Sequence, residues 1–145
     1  MKIIKILLIC AASMIIFVSY CSAQNNDCKI SNQTSNNSQI KIGIIVQTKE
    51  PEKAWNAFRF ANMAKSQGYD VKVFLMGEGV ECEGIVQEPF NVKEQMNAFV
   101  EQDGKILACG TCLQLRHLEG TATCPISTMA DCVEMVAWAD KTVSF

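Results

Sequence analysis

From Ile40 to the C-terminus, short β-branched runs alternate with segments of helical spacing, and this alternation restricts the fold more than any other feature of the chain. Ile40-Lys41-Ile42-Gly43-Ile44-Ile45-Val46 is mostly apolar toward both faces, as a central parallel strand must be. Pro51 opens a stretch in which Ala54, Ala57, Phe58, Ala61 and Ala64 recur at helical intervals, and Gly68 stands where a helix C-cap is expected. Val71–Leu75 reads as a second strand and ends in Gly77-Glu78-Gly79, read as a tight turn. A short helix or loop follows as far as Pro89. Val92, Met96, Phe99 and Val100 mark another helix, stopped by Gly104. Lys105–Ala108 is a third strand, leading straight into Cys109-Gly110-Thr111-Cys112. Thr111–Leu118 is compatible with a helix ended by Gly120. Ser127 or Thr128 can cap a last helix, with Met129, Cys132, Val133, Val136 and Ala137 on its inner side. Lys141–Phe145 forms a final strand. Right-handed crossovers between such strands predict a three-layer α/β domain over residues 40–145, with a mainly parallel sheet of about five strands and helices on both faces.

The residues before this domain have a different character. A basic start, Met1-Lys2-Ile3-Ile4-Lys5, precedes an apolar run from Ile6 to Tyr20 and the small residues Ser22 and Ala23. That three-part layout predicts a secretory signal peptide over residues 1–23, cleaved after Ala23, and a periplasmic or secreted mature chain beginning at Gln24. The same run read as an uncleaved anchor is the alternative; the bulky Tyr20 argues against acylation of Cys21 as a lipoprotein. Residues 24–39, rich in Asn, Gln and Ser, bury too little to offset their ordering entropy and are expected to form a flexible linker. Without residues 1–23 the chain carries 11 basic against 15 acidic residues, a net charge of −4. No basic stripe remains, which argues against a nucleic-acid partner.

Six of the eight cysteines lie beyond the signal: Cys28, Cys82, Cys109, Cys112, Cys124 and Cys132. An exported chain can pair six cysteines in 15 ways. Residues 40–145 nevertheless hold enough Val, Ile, Leu, Phe and Met to bury a core without disulfides, which leaves cysteines free for chemistry. Ligands of open parallel sheets gather at the carboxyl ends of strands, where both Gly77-Glu78-Gly79 and Cys109-Gly110-Thr111-Cys112 fall. Unpaired N–H groups where a strand turns into a helix favour an anion, so a thiol at Cys109 is placed to act as a thiolate nucleophile. Gly110 allows close backbone approach, Thr111 shares the turn, and Cys112 is a possible resolving partner. Arg116 can lend charge if its helix faces inward.

The plainer readings of the same residues are a buried small hydrophobe, a structural Cys-x-x-Cys disulfide, and a tight turn at Gly77-Glu78-Gly79, with Glu78, Glu81 and Glu83 simply solvated. A metal site is not expected, since there is a single histidine, His117, and no second Cys-x-x-Cys. No cofactor motif is present either. The glycines after the second strand lack dinucleotide spacing, and no Lys-Ser/Thr pair makes a phosphate loop.

Ile106-Leu107-Ala108-Cys109-Gly110-Thr111-Cys112-Leu113-Gln114-Leu115-Arg116, with Gly120, closely resembles the DsrE/DsrF/TusD family of sulfur-relay proteins. So do Cys124-Pro125-Ile126-Ser127-Thr128-Met129-Ala130, Val143-Ser144-Phe145 and Phe74–Val80, so that the likeness spans about Ile40 to Phe145. The resemblance implies a DsrE-like α/β subunit that assembles as a homo-oligomer, often a trimer or hexamer. It also implies one thiolate, at the position of Cys109, that accepts sulfane sulfur as a persulfide from a donor protein or small persulfide and passes it to an acceptor. Cys112 and Cys124 stand as additional thiols able to attack such a persulfide, releasing sulfide and leaving a disulfide. Three functions are therefore carried forward: a sulfur carrier or sulfurtransferase-like protein using Cys109, a thiol-disulfide oxidoreductase or sulfur reductase using Cys109 and Cys112, and a non-catalytic exported binding domain with structural cysteines.

Overall fold

The computed structural model describes residues 39–145; the expected signal peptide and nearly all of the expected linker lie outside the described residues. Five strands form one all-parallel sheet: β1 (Lys41–Val46), β2 (Asp70–Leu75), β3 (Lys105–Cys109), β4 (Ile126–Ser127) and β5 (Lys141–Ser144). Their order across the sheet is β4-β3-β2-β1-β5. The helices are α1 (Pro51–Ser66), α2 (Val92–Glu101), α3 (Gly110–Leu115) and α4 (Met129–Trp138), and a 3-10 segment runs over Gly77–Gly84.

Local chemistry explains most of these boundaries. Pro51 opens α1, where its missing N–H costs nothing, and the Glu50 carboxylate caps it by accepting from the Glu52 and Lys53 amides. Gly68, at φ 85°, follows the α1 C-cap in the left-handed conformation. Thr128 caps α4 in a reciprocal capping box with Asp131.

Because β1, β2 and β3 step in one direction across the sheet, right-handed crossovers put α1 and α2 on one face. The return from β4 to β5 at the opposite edge puts α4 on the other. Gly43 in β1 faces Met135 and Ala139 at the C-terminal end of α4, and by alternation Ile42, Ile44 and Val46 point to the α1 side. Phe58, Phe74, Phe99, Ile44, Leu75 and Met96 are the largest fully buried side chains.

The structure corrects the reading of the sequence in four places. Gly77-Glu78-Gly79 opens the 3-10 segment instead of an isolated turn. The expected 111–118 helix spans Gly110–Leu115, because His117, at φ 55°, turns the chain and the Leu118 amide closes back on the Leu113 carbonyl. The two-residue strand β4 is too short to show a period and has no counterpart among the expected strands. On α4 the inward stripe is Cys132 and Met135, while Met129, Val133, Val136 and Ala137 face outward. That helix is apolar nearly all round, so its rotation is set by what it packs on: the room left by Gly43 receives Met135.

Candidate functional site

Sheet register creates the site. β2 and β3 pair in parallel with Leu75 opposite Ala108, so the residues after each strand leave the same edge side by side. The β2 exit carries Met76 and Gly77, and the β3 exit is Cys109, the N-cap of α3. Three residues further, the first turn of α3 brings Cys112 over this edge, and the Gly77 N–H donates to its Sγ at 3.2 Å. Gly77 holds φ 57°, a left-handed conformation suited to glycine. Gly79 is needed for space, since a Cβ there would lie 2.2 Å from the Val46 carbonyl oxygen. The 3-10 segment is thereby pressed against the end of β1 and supplies one wall around Cys112.

Cys109 and Cys112 are both unbridged, and Cys109 lies near enough to Cys112 to raise its pKa. Cys109 is buried, at 4% exposure, and its side chain makes no capping hydrogen bond with α3. Cys112 is half-buried and the more accessible of the two. Burial pushes the Cys112 thiol up. The Gly77 N–H opposes this by favouring the thiolate, Cys109 adds to it, and Arg116 opposes it. With only six residues, α3 has fewer than two turns of aligned dipoles, so its terminus offers less to an anion than the longer expected helix.

Arg116 follows α3, half-buried. Its Nη1 donates to the Cys112 carbonyl at 3.3 Å and its Nε to Glu81 Oε1 at 3.0 Å. Glu81 also accepts from Lys49 at 3.2 Å, and Lys49 reaches Glu78 at 3.7 Å. Lys49 first, and Arg116 with it, hold the Glu81 carboxyl below the usual carboxylate range. These carboxylates are thus ion-paired rather than simply solvated. Neither Lys49 nor Glu81 was singled out as a site residue from sequence, and 35 residues separate Glu81 from Arg116, beyond any local pattern.

The remaining candidates are distributed around this pair. Thr111 is exposed on the first turn of α3. Gly110 lies beneath Ile126 and the Ser127 carbonyl of β4. Cys109 pairs with Ser127 in the sheet, and buried Cys132 on α4 stands near enough for charge on Cys109 to raise its pKa, after burial as the main cause. Cys124 is instead surrounded by Glu83, Cys82 and Thr121; burial and the Glu83 charge push its thiol up to about 12. Cys82, which donates to the Thr48 carbonyl at 3.3 Å, is pushed up to about 12 by burial and then by Glu81. Among the described residues, no three His, Cys, Asp or Glu side chains are grouped to hold a metal ion.

The chain resembles proteins that are themselves uncharacterized. One from Methanopyrus kandleri is 34% identical over 103 residues, covering 65% of this chain and 83% of that protein. One from Methanocaldococcus jannaschii is 30% identical over 118 residues, covering 73% of this chain and all of that one. The solved structure of a conserved protein of unknown function from Bacteroides thetaiotaomicron superposes with a TM-score of 0.58 at 18% identity, covering 72% of this chain and 94% of the other, a likeness of fold alone. The DsrE/DsrF-like family model matches residues 41–145, the whole described sheet and every helix packed on it, and the chain therefore belongs to the DsrE/DsrF-like family.

Proposed function

We propose that this protein is a sulfur carrier of the sulfurtransferase type, accepting sulfane sulfur as a persulfide on Cys109. The observation that carries the reading is the placement of Cys109 and Cys112 together at the carboxyl edge of the sheet, with the Gly77 N–H on Cys112 Sγ and Arg116 on the Cys112 carbonyl, in a chain of this family. In the loading step the Cys109 thiolate attacks the outer sulfur of a donor persulfide. A new S–S bond forms on Cys109, the donor's S–S bond breaks, and the donor leaves as a thiolate. An acceptor thiolate repeats the exchange and regenerates Cys109. Donor and acceptor are sulfur-relay partner proteins or small persulfides.

The nearness of the two cysteines favours a second reading, the sulfur reductase. The Cys112 thiolate attacks Sγ of Cys109, the inner sulfur of the persulfide; the outer sulfur leaves as sulfide with the electron pair of the broken S–S bond, and a Cys109–Cys112 disulfide remains. That disulfide is then reduced by an external dithiol.

Export as a processed chain beginning at Gln24, into the periplasm or the medium, and assembly as a homo-oligomer belong to the same proposal. The outward stripe of Met129, Val133 and Val136 on α4, with Val133 63% exposed, supports the assembly, because a single subunit leaves it in water.

Incubation of the full chain with a persulfide donor, followed by intact-mass analysis, tests the reading. The wild type should gain the mass of one sulfur atom and Cys109→Ser should gain none. Cys112→Ser should still load if the protein is a carrier and should lose the ability to release sulfide if it is a reductase. Equal loading of wild type and Cys109→Ser overturns the assignment.

A further inference from the structure

Two lysines lie side by side on the sheet face that α4 packs against. Gly43, Lys72 and Lys105 stand in register across β1, β2 and β3, and Gly43 faces α4, so all three point to that side. The next row on the same face is Ile45, Phe74 and Leu107, all apolar. Like charges directly opposite one another on neighbouring strands repel. Acidic residues outnumber basic ones in this chain, 15 to 13, yet the lysine pair is left uncompensated. The ion pairs among the described residues use Lys49 and Arg116, and neither Lys72 nor Lys105 is in one.

Beside the two lysines, α4 and the sheet enclose a cavity of about 410 Å³. Lys72, Lys105 and Leu107 line it from the sheet, and Asp131, Glu134, Met135 and Trp138 from the helix. Small-ligand sites commonly measure about 300–1,000 Å³. Lys72 Nζ lies 3.9 Å from the centroid of the Trp138 ring, and Lys41 Nζ adds a further cation at 5.9 Å. The ring holds the Lys72 ammonium in place without neutralising it. Asp131 is already engaged, since its Oδ2 accepts from the Thr128 amide, the Thr128 hydroxyl and the Ser127 hydroxyl at 2.7–2.8 Å. Glu134, exposed on α4, is then the one other carboxylate of the lining, against two lysines.

We propose that this cavity binds a small organic anion with a carboxylate head on an apolar body. Lys72 and Lys105 supply charge-assisted hydrogen bonds to the carboxylate. The body lies on Leu107, Met135 and the edge of Trp138, whose face Lys72 already occupies. One ligand thereby relieves the repulsion between the lysines and covers apolar surface. The site is separate from the cysteine edge: Lys105 and Cys109 open and close β3, about 13 Å apart along an extended strand. Binding here is independent of the sulfur-transfer reading, and neither cysteine of that reading takes part in it.

The test uses the two tryptophans of the chain, Trp55 and Trp138, whose indole N–H signals are resolved by NMR of the ¹⁵N-labelled full chain and assigned with Trp55→Phe. Titration with 3-phenylpropionate should move the Trp138 signal saturably and leave Trp55, on α1, in place. The neutral alcohol 3-phenyl-1-propanol, of the same body, should bind about tenfold or more weakly. Lys105→Gln should weaken carboxylate binding by about the same factor, the effect of losing one charged hydrogen bond. Lys93→Gln, the same charge change at an exposed position on α2, should leave it unchanged. A Trp138 signal that does not saturate with the carboxylate overturns the proposal. So does equal binding of the alcohol, or equal weakening by Lys105→Gln and Lys93→Gln.

Discussion

Gly79→Ala isolates the contact on which the wall around Cys112 depends. The added Cβ would lie 2.2 Å from the carbonyl oxygen and 2.8 Å from the carbonyl carbon of Val46, at the end of a central strand that cannot yield. Normal contact requires the Gly77–Gly84 segment to withdraw by about 1 Å or more. Overpacking of this kind costs about 1–3 kcal/mol. For a domain of this size that is a fall of roughly 5–20 °C in thermal midpoint. The Gly77 amide, now 3.2 Å from Cys112 Sγ, would move beyond hydrogen-bonding range, removing a contact that favours the thiolate. Cys112 should then be alkylated more slowly near neutral pH. Gly84→Ala is the control, because a Cβ there meets nothing within 4 Å in the same segment. Melting of both variants in a non-thiol reductant, with mass-resolved alkylation of Cys112, provides the assay. A Gly79→Ala variant that melts with the wild type, or a Gly84→Ala variant that falls as far, would refute the reasoning.

Three further outcomes are expected. Glu81→Gln should speed alkylation of Cys112, because it leaves the Arg116 charge unneutralised beside the thiol; as a partly exposed ion pair its loss should cost no more than about 1 kcal/mol. The reduced protein should lose stability from about pH 9 toward 12: unfolded thiols ionise near 9.0, while native Cys82 and Cys124 hold their protons to about 12, so rising pH favours the unfolded state. A urea titration series across that range measures it, and stability that is flat or rising contradicts the burial of these thiols. If the chain assembles through the outward stripe of α4, Val133→Asp, which places a charge there, should shift the light-scattering mass to a smaller species; an unchanged mass contradicts assembly through this stripe.

Local physics decided what could be read from the sequence alone. β-branched runs apolar on both faces located β1, β2 and β3. Pro51, Gly68 and Thr128 marked helix ends because each acts on its own backbone, through a fixed φ, a left-handed φ or a capping oxygen. The end of β3 placed Cys109 at the ligand-binding edge of a parallel sheet for the same reason. Tertiary structure decided everything that depends on residues distant in the chain. Parallel pairing of Leu75 with Ala108 set Gly77 against Cys112, and packing set Glu81 against Arg116 and Cys82 beside Cys124. Each of these pairs is separated by 33 residues or more, across which periodicity carries no signal. The rotation of α4 belongs with them. Its apolar residues surround the helix, so only the space above Gly43 selects Cys132 and Met135 for the core and leaves Met129, Val133 and Val136 outside.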